Sequence, residues 1–391
     1  MPTPEIRPPE MRALRVLSLA FFVQMVGALS VVGGLAAIAG EWSLAESQGA
    51  YLMSAFGLAF ALAAPLMQVW LGHLNRRRQL LLGLGVFSVS ALGFAAAPGY
   101  GALLASRISM GLGAALISPV LGALGSGLVR QELQGSALAI VLFGLSLAGM
   151  VGLPASAWVA EAWGARWLFA GIGALGLVTA LLVLWRVPEQ GGGQRIALST
   201  VAALLTEPVT LSALLVVFFI ATGVFSTYAF LVPILHEVYG AGPDAVSLAL
   251  LVLGAAGVAG NLVVVRAARR YSADTLLRAG ILLFATNLLF MLLSPPQLAY
   301  LYCALVVWAF ATDILWPTQQ RRIVELRPEL RGIGLALTAS FLFCGIGSGS
   351  AVAGWVYPAS GYAGVLTCSI GFLAAALGCL QYSARRAAMA G

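Results

Sequence analysis

Residues 129–140 read VRQELQGSALAI, and residues 326–337 read LRPELRGIGLAL. In both, a polar turn carrying Arg and Glu leads into a run of small apolar residues, and the copies stand 197 positions apart (326 minus 129). At the same offset Gly152, Trp158, Val159 and Gly164 meet Gly349, Trp355, Val356 and Gly361. One unit is therefore written twice in the same direction, the alternative being chance similarity of two loop–helix junctions. Between the copies lies 187–207, VPEQGGGQRIALSTVAALLTE, followed by Pro208, the longest polar connection, with the flexible run Gly191, Gly192, Gly193. It divides the chain into an N-terminal unit (12–187), a linker (188–207) and a C-terminal unit (208–384).

Outward from these junctions the sequence is apolar almost throughout. Of 391 residues, 61% are hydrophobic and 9% charged, with a mean hydropathy of +0.97; a soluble chain carries about 25% charged residues. Runs long enough to span a bilayer occur at 14–39, 48–71, 79–97, 100–127, 134–160, 166–186, 208–236, 245–265, 275–293, 297–319, 332–357 and 362–382. They are continuously apolar, whereas a barrel strand needs only about ten residues of alternating polarity, so they predict helices. Twelve crossings of about 22 residues use roughly 264 positions and leave about ten for each tail or connection. The expected fold is an all-α membrane protein of twelve transmembrane helices in two pseudo-symmetric six-helix halves. Pro2, Pro4, Pro8 and Pro9 precede a first run without the features of a cleaved signal, which predicts a retained spanning helix.

All 21 basic residues are arginine. Alternate connections hold Arg7, Arg12, Arg15; Arg76, Arg77, Arg78; Arg130; Arg186, Arg195; Arg266, Arg269, Arg270, Arg278; Arg321, Arg322, Arg327, Arg331; and Arg385, Arg386. The other connections hold Arg166 alone. One missed or extra helix would destroy this division, so it predicts an even count with both termini cytoplasmic. The net charge of +7 is thus an orientation signal; nucleic-acid binding would need a basic face on a water-exposed module. Cys303, Cys344, Cys368 and Cys379 lie in apolar runs without CxxC or histidine spacing, so neither a metal nor a cofactor is implied.

Arg107-Ile-Ser-Met-Gly111-Leu-Gly113, followed by Pro119, resembles the fourth-helix signature RxxqGxG of the major facilitator superfamily. Gly144, Gly149, Gly152-Leu-Pro154 and Gly164-Ala-Arg166-Trp-Leu-Phe169 resemble the fifth-helix antiporter motif and its GWRxxF continuation. Together they are similar to the drug:proton antiporter branch with its sugar-efflux relatives, and two parallel six-helix halves are that superfamily's architecture. Two departures stand out. The loop Gly72-His-Leu-Asn-Arg76-Arg77-Arg78-Gln79 lacks the acid of the family's GxLaDRxGRR, as does its counterpart Gly260 to Arg270. The first helix offers Gln24, Ala28, Leu29 and Ser30 where sugar-efflux relatives often place Glu.

Arg107 is the one arginine left inside a span. A guanidinium there is retained facing an aqueous cavity or a partner; the resemblance places it near the proton path, while the bland reading is an arginine that snorkels or bonds backbone carbonyls. Asp313, in WAFATDILWPTQQ, is the acid well inside a helix and the first candidate for proton coupling. Its alternative is an ion pair with Arg321 or Arg322. Gln24, Arg107, Tyr228, Trp308 and Thr312 are candidates for a substrate cavity; otherwise Trp308 packs against lipid and Tyr228 against a neighbour. Arg76, Arg77 and Arg78, after Gly72, are expected to hold a gate through helix-end contacts in place of the missing acid. Gly144, Gly149 and Gly152 predict close helix packing and Pro154 a bend, static or hinging. His73 and His236 fall at helix ends, where solvation is the simplest reading.

These residues predict a secondary transporter, coupled to protons, that exports a small organic solute by alternating access and acts as a monomer in the bilayer. A uniporter or an uptake porter of the same fold is the second reading. An intramembrane enzyme is remote, because no serine has a base at hand and no three metal ligands cluster.

Overall fold

The computed structural model describes residues 6–191, 198–268, 270–326 and 331–390; Gly192, Gly193, Arg195, Arg269 and Arg327 lie outside them. In hydrocarbon every backbone polar group must be satisfied within its own segment, so the apolar runs fold as helices. They are α1 (Pro8–Glu41), α2 (Glu46–Leu71), α3 (Arg76–Ala95), α4 (Tyr100–Gly127), α5 (Gln131–Trp163), α6 (Ala165–Arg186), α7 (Pro208–Glu237), α8 (Pro243–Ala267), α9 (Ala273–Leu293) and α10 (Leu298–Leu326). A last helical stretch, Arg331–Ala390, is 60 residues long, about 90 Å at 1.5 Å per residue and three times the hydrocarbon thickness. Gly361, at φ 58° and ψ −154°, breaks it into α11 (331–360) and α12 (362–390), so the twelve expected crossings are present.

The repeat extends to helix boundaries. Adding 197 to the first residues of α2, α3 and α6 (46, 76 and 165) gives those of α8, α9 and α12 (243, 273 and 362). The caps repeat too: Asn75 Oδ1 accepts from the Arg77 amide at 2.9 Å, and Ser272 Oγ accepts from the Thr275 amide at 3.3 Å. Gly164 (φ 95°) and Gly361 (φ 58°) both take positive φ, which glycine adopts without steric cost, at the corners between α5 and α6 and between α11 and α12.

Three local departures have identifiable causes. Part of the linker, read as polar connection throughout, forms a helix at Leu198–Thr206; Val201 and Leu204, spaced i, i+3, pack with Ala213, Leu214, Ile323 and Leu337. The seventh span is interrupted at Ala229 and Phe230, because the ring of Pro233 displaces the carbonyl four residues earlier. In α5 the residues Ala148–Gly152 form a π turn, the local form of the bend expected from Pro154, which cannot donate to Met150.

Within the first half α1 packs on α2, α4, α5 and α6, and α3 on α4 and α6; within the second, α10 packs on α8 and α9, and α7 on α11 and α12. A side chain on Gly144 would sit 2.0 Å from Ser18 O, and one on Gly152 would sit 2.4 Å from Val26, so both let α5 meet α1. A Cβ on Gly149 would touch nothing within 4 Å, but its carbonyl lies 2.9 Å from where a Cβ on Gly254 of α8 would sit, so here the close approach is to the other half.

The halves meet along α2 with α11 and α5 with α8. A Cβ on Gly57 would lie 2.8 Å from Gly347 N, and one on Gly254 would lie 2.7 Å from Met150 Cα. These contacts are copies of one another, because 57 plus 197 is 254 and 150 plus 197 is 347. On the α2 side, contact continues to the face opposite the termini, where Gly354 packs against Ser47 and Tyr51. Phe60 and Phe343 add ring contact at 3.9 Å.

Candidate functional site

Arg107 is wholly buried between α1, α2 and α4. Its Nη1 donates to Gly27 O at 2.7 Å, Nη2 to Ala28 O at 3.0 Å and Nε to Leu52 O at 3.2 Å. The guanidinium also lies 4.6 Å from the centre of the Phe56 ring, a cation–π contact. A planar fork with donors on three nitrogens can bridge two helices in this way. In this conformation the fork is directed at backbone carbonyls and is fully buried.

Gln24 is buried as well. Its Nε2 donates to Ser118 Oγ at 2.6 Å, and that hydroxyl donates back to Oε1 at 2.9 Å. Ser118 had no signal in the sequence, because the pair joins α1 to α4 across 94 positions. In the second half Trp308 is 2% exposed, with Phe284 at 4.8 Å and Tyr228 at 6.1 Å between ring centres. In this conformation Trp308 sits in an aromatic cluster inside the half. Thr312, half-buried, returns its hydroxyl to Trp308 O and Ala309 O, each at 3.0 Å.

Asp313, on α10, faces α8. A Cβ on Gly257 would sit 2.8 Å from its Oδ2, and one on Gly260 would sit 3.3 Å from its Cβ. Two glycines one turn apart thus leave room for a carboxylate between the helices. Arg321 and Arg322, its alternative partners, are engaged by other acids. Arg321 pairs with Glu325 at 2.6 Å and donates to Ala268 O and Tyr271 O.

Arg322, 3% exposed, pairs with Asp274 at 2.5 Å and donates to Ser383 Oγ at 2.9 Å. Asp274 is an acid that sequence reasoning missed, because it stands past the loop, in the first turn of α9, where the helix dipole favours it. Its counterpart at 77 in the first half (274 minus 197) is Arg77, a reversal of charge.

Arg76, Arg77 and Arg78 occupy the first turn of α3, which the apolar run placed after them. Three cations at a helix N-terminus oppose its dipole, and their partners are the acceptor ends of neighbours. Arg76 donates to Ala123 O near the end of α4 at 3.5 Å, and Arg77 donates to Leu184 O near the end of α6. Glu189, just past α6, lies 3.6 Å from Arg77 and 3.9 Å from Arg78 and stands in for the missing acid. These contacts join α3 to the ends of α4 and α6 and to the first residues of the linker, beside Gly72, the C-cap of α2.

At the opposite face a crevice of about 480 Å³ opens between α1, α5, α7 and α8, with Glu41, Glu161 and His236 on its wall. Glu41 is taken by Arg166 at 2.9 Å and by the Ala165 amide at 2.9 Å. Among the described residues no three His, Cys, Asp or Glu are grouped to hold a metal.

The model of the Major Facilitator Superfamily matches residues 17–348. The chain is 29% identical over 334 residues to the inner membrane transport protein YdhP of Escherichia coli (strain K12), covering 84% of this chain and 85% of that protein. It is 25% identical over 339 residues to the MFS-type transporter YbcL of Bacillus subtilis (strain 168), covering 87% of each. Among solved structures, a bacterial homologue of the human lysosomal transporter Spinster, inward-facing and unoccupied, superposes with a TM-score of 0.75 at 17% identity, over 97% of this chain and 98% of that one. The human organic anion transporter MFSD10 superposes with a TM-score of 0.68 at 18% identity, over 96% and 100%. A family match over most of the chain, carried on twelve helices in two repeated halves, places it: this membrane-spanning chain belongs to the major facilitator superfamily.

Proposed function

We propose that this transporter exports a small, partly apolar organic solute, anionic or hydroxyl-rich, in exchange for protons. The single observation that carries the coupling is the seat of Asp313. Its carboxylate rests on Gly257 and Gly260 of α8, and Gly254, one turn away on that helix, makes the backbone contact with Met150 in the other half. Charging or neutralising Asp313 therefore acts about 4.5 Å along α8 from the point where the halves touch. Arg107 keeps α1, α2 and α4 together and contributes a fixed positive field. Gln24, Tyr228, Trp308 and Thr312 come to line the solute site as the halves rock apart about the two glycine contacts. We assign the arginine-rich face, with both termini, to the cytoplasm; at the opposite face the halves touch along α2 and α11 and leave the crevice between α1, α5, α7 and α8.

The preference for an anionic or hydroxyl-rich solute rests on the scarcity of buried carboxylates, which a lipophilic cation would need. A uniporter or uptake porter of the same fold is the second reading, favoured by the single candidate acid. A melting screen over sugars, siderophores, nucleosides and amino-acid derivatives identifies a binder, because a ligand of the folded state raises apparent stability. Transport of that binder in vesicles with and without an imposed pH gradient then decides: accumulation against the direction of proton flow supports export by exchange, accumulation with proton flow supports an uptake porter, and a flux indifferent to the gradient supports the uniporter.

A further inference from the structure

Along α9 the exposed residues, among them Arg278, Leu282, Leu283, Thr286, Leu289 and Phe290, form the broad stripe turned to lipid. Arg278 is the charge in that stripe, about 8 Å inside the start of the helix at 1.5 Å per residue. Among the described residues no carboxylate pairs with it. The buried Arg322 bonds both Asp274, one turn before Arg278 on α9, and Ser383 of α12, which brings the start of one helix against the end of the other. The outward neighbours of Ser383 are Tyr382, 46% exposed, and Arg386, whose Nε donates to the Tyr382 hydroxyl at 3.2 Å and whose guanidinium lies 5.4 Å from its ring centre. The joined ends of α9 and α12 thus carry Arg278, Arg385 and Arg386, with Arg322 between the two helices, against Asp274, and that carboxylate is turned to Arg322.

The internal repeat supplies the comparison. The equivalents of Arg278, Tyr382 and Arg386, at 197 positions less, are Leu81, Trp185 and Glu189, and Glu189 pairs with Arg77 and Arg78. The first half thus places an acid at its corner, whereas the second presents its cations to the lipid boundary. An amphipathic tyrosine and uncompensated arginines at headgroup depth match a phosphate diester carried on acyl chains.

We propose that the corner between α9 and α12 seats the headgroup of an anionic phospholipid, with Arg278 and Arg386 on its phosphate and Tyr382 at the glycerol level. The test uses the delipidated full-length protein in detergent, titrated with phosphatidylglycerol or with phosphatidylcholine of the same chains while thermal unfolding is followed. Phosphatidylglycerol is expected to raise the Tm and phosphatidylcholine to leave it unchanged. Arg278→Gln/Arg386→Gln should need about 10- to 30-fold more phosphatidylglycerol for the same rise, with the lipid-free Tm as in the parent. Arg278→Lys/Arg386→Lys, which keeps the charge, should retain most of the response and guards against a folding defect. The proposal is overturned if the glutamine variant responds like the parent, if Arg12→Gln/Arg15→Gln loses the response equally, or if inorganic phosphate alone reproduces the rise.

Discussion

Replacing Arg107 by Lys keeps the charge and removes the fork, and the structure says that the fork matters more. The three donor atoms reach Gly27 O and Ala28 O on α1 and Leu52 O on α2 at 2.7, 3.0 and 3.2 Å. One ammonium on a shorter, unbranched stem cannot serve both helices. It would keep one bond of the three and hold a buried charge with the rest of its hydration lost. Two lost bonds to a charged group amount to about 3–6 kcal/mol. Arg107→Met removes the charge with the bonds, and Gly27 O and Ala28 O keep their intrahelical donors, so its cost should be smaller, about 1–2 kcal/mol. The conservative change is therefore expected to be the worse one. Thermal unfolding of parent, Lys and Met variants in one detergent orders them, and the reasoning fails if Lys is as stable as the parent while Met is the least stable.

Breaking the Arg322 pair from one side leaves a buried cation with only Ser383 as partner, so Asp274→Asn, at a half-exposed carboxylate, should cost about 1–3 kcal/mol, and Asp274→Asn/Arg322→Gln should recover part of it in the same unfolding assay. Gly361→Ala and Gly164→Ala force positive φ on a residue with a Cβ; each is expected to lose about 1–2 kcal/mol, against little loss for alanine at Gly149, where a Cβ meets open space. Gly57→Leu would drive a side chain into the Gly347 backbone and hold α2 off α11, so a cysteine at Ser47 should react several-fold faster with a membrane-impermeant maleimide than in the Gly57 parent. An unchanged rate would show that this contact does not close the opposite face.

What the sequence made legible was whatever repeats or persists along one helix. The offset of 197 predicted the pairing of Gly164 with Gly361, and both prove to be positive-φ corners. It extends to the caps at Asn75 and Ser272, because a repeated fold needs its helix starts at repeated positions. Pro154 announced a distortion of α5, although not that it would be a π turn. Side-chain partners across helices were not legible: Ser118 for Gln24, Asp274 for Arg322 and Glu189 for Arg77 stand 94, 48 and 112 positions away (189 minus 77). Apolar runs also understate helices, which is why Arg76, Arg77 and Arg78 were read as loop. Charged residues continue a helix into water once hydrocarbon no longer excludes them. Trp308 shows a third limit, since an aromatic in a span reads alike whether it meets solute, lipid or, as here, Phe284 and Tyr228.

The seat of Asp313 is the centre of the functional account, and everted vesicles test it most directly. With the solute identified by the melting screen, parent and Asp313→Asn vesicles are compared for accumulation under an imposed pH gradient and for solute exchange without one. The account predicts that the variant loses gradient-driven accumulation and keeps exchange, since the permanently neutral side chain still fits against Gly257 and Gly260. Accumulation by the variant equal to that of the parent would contradict it.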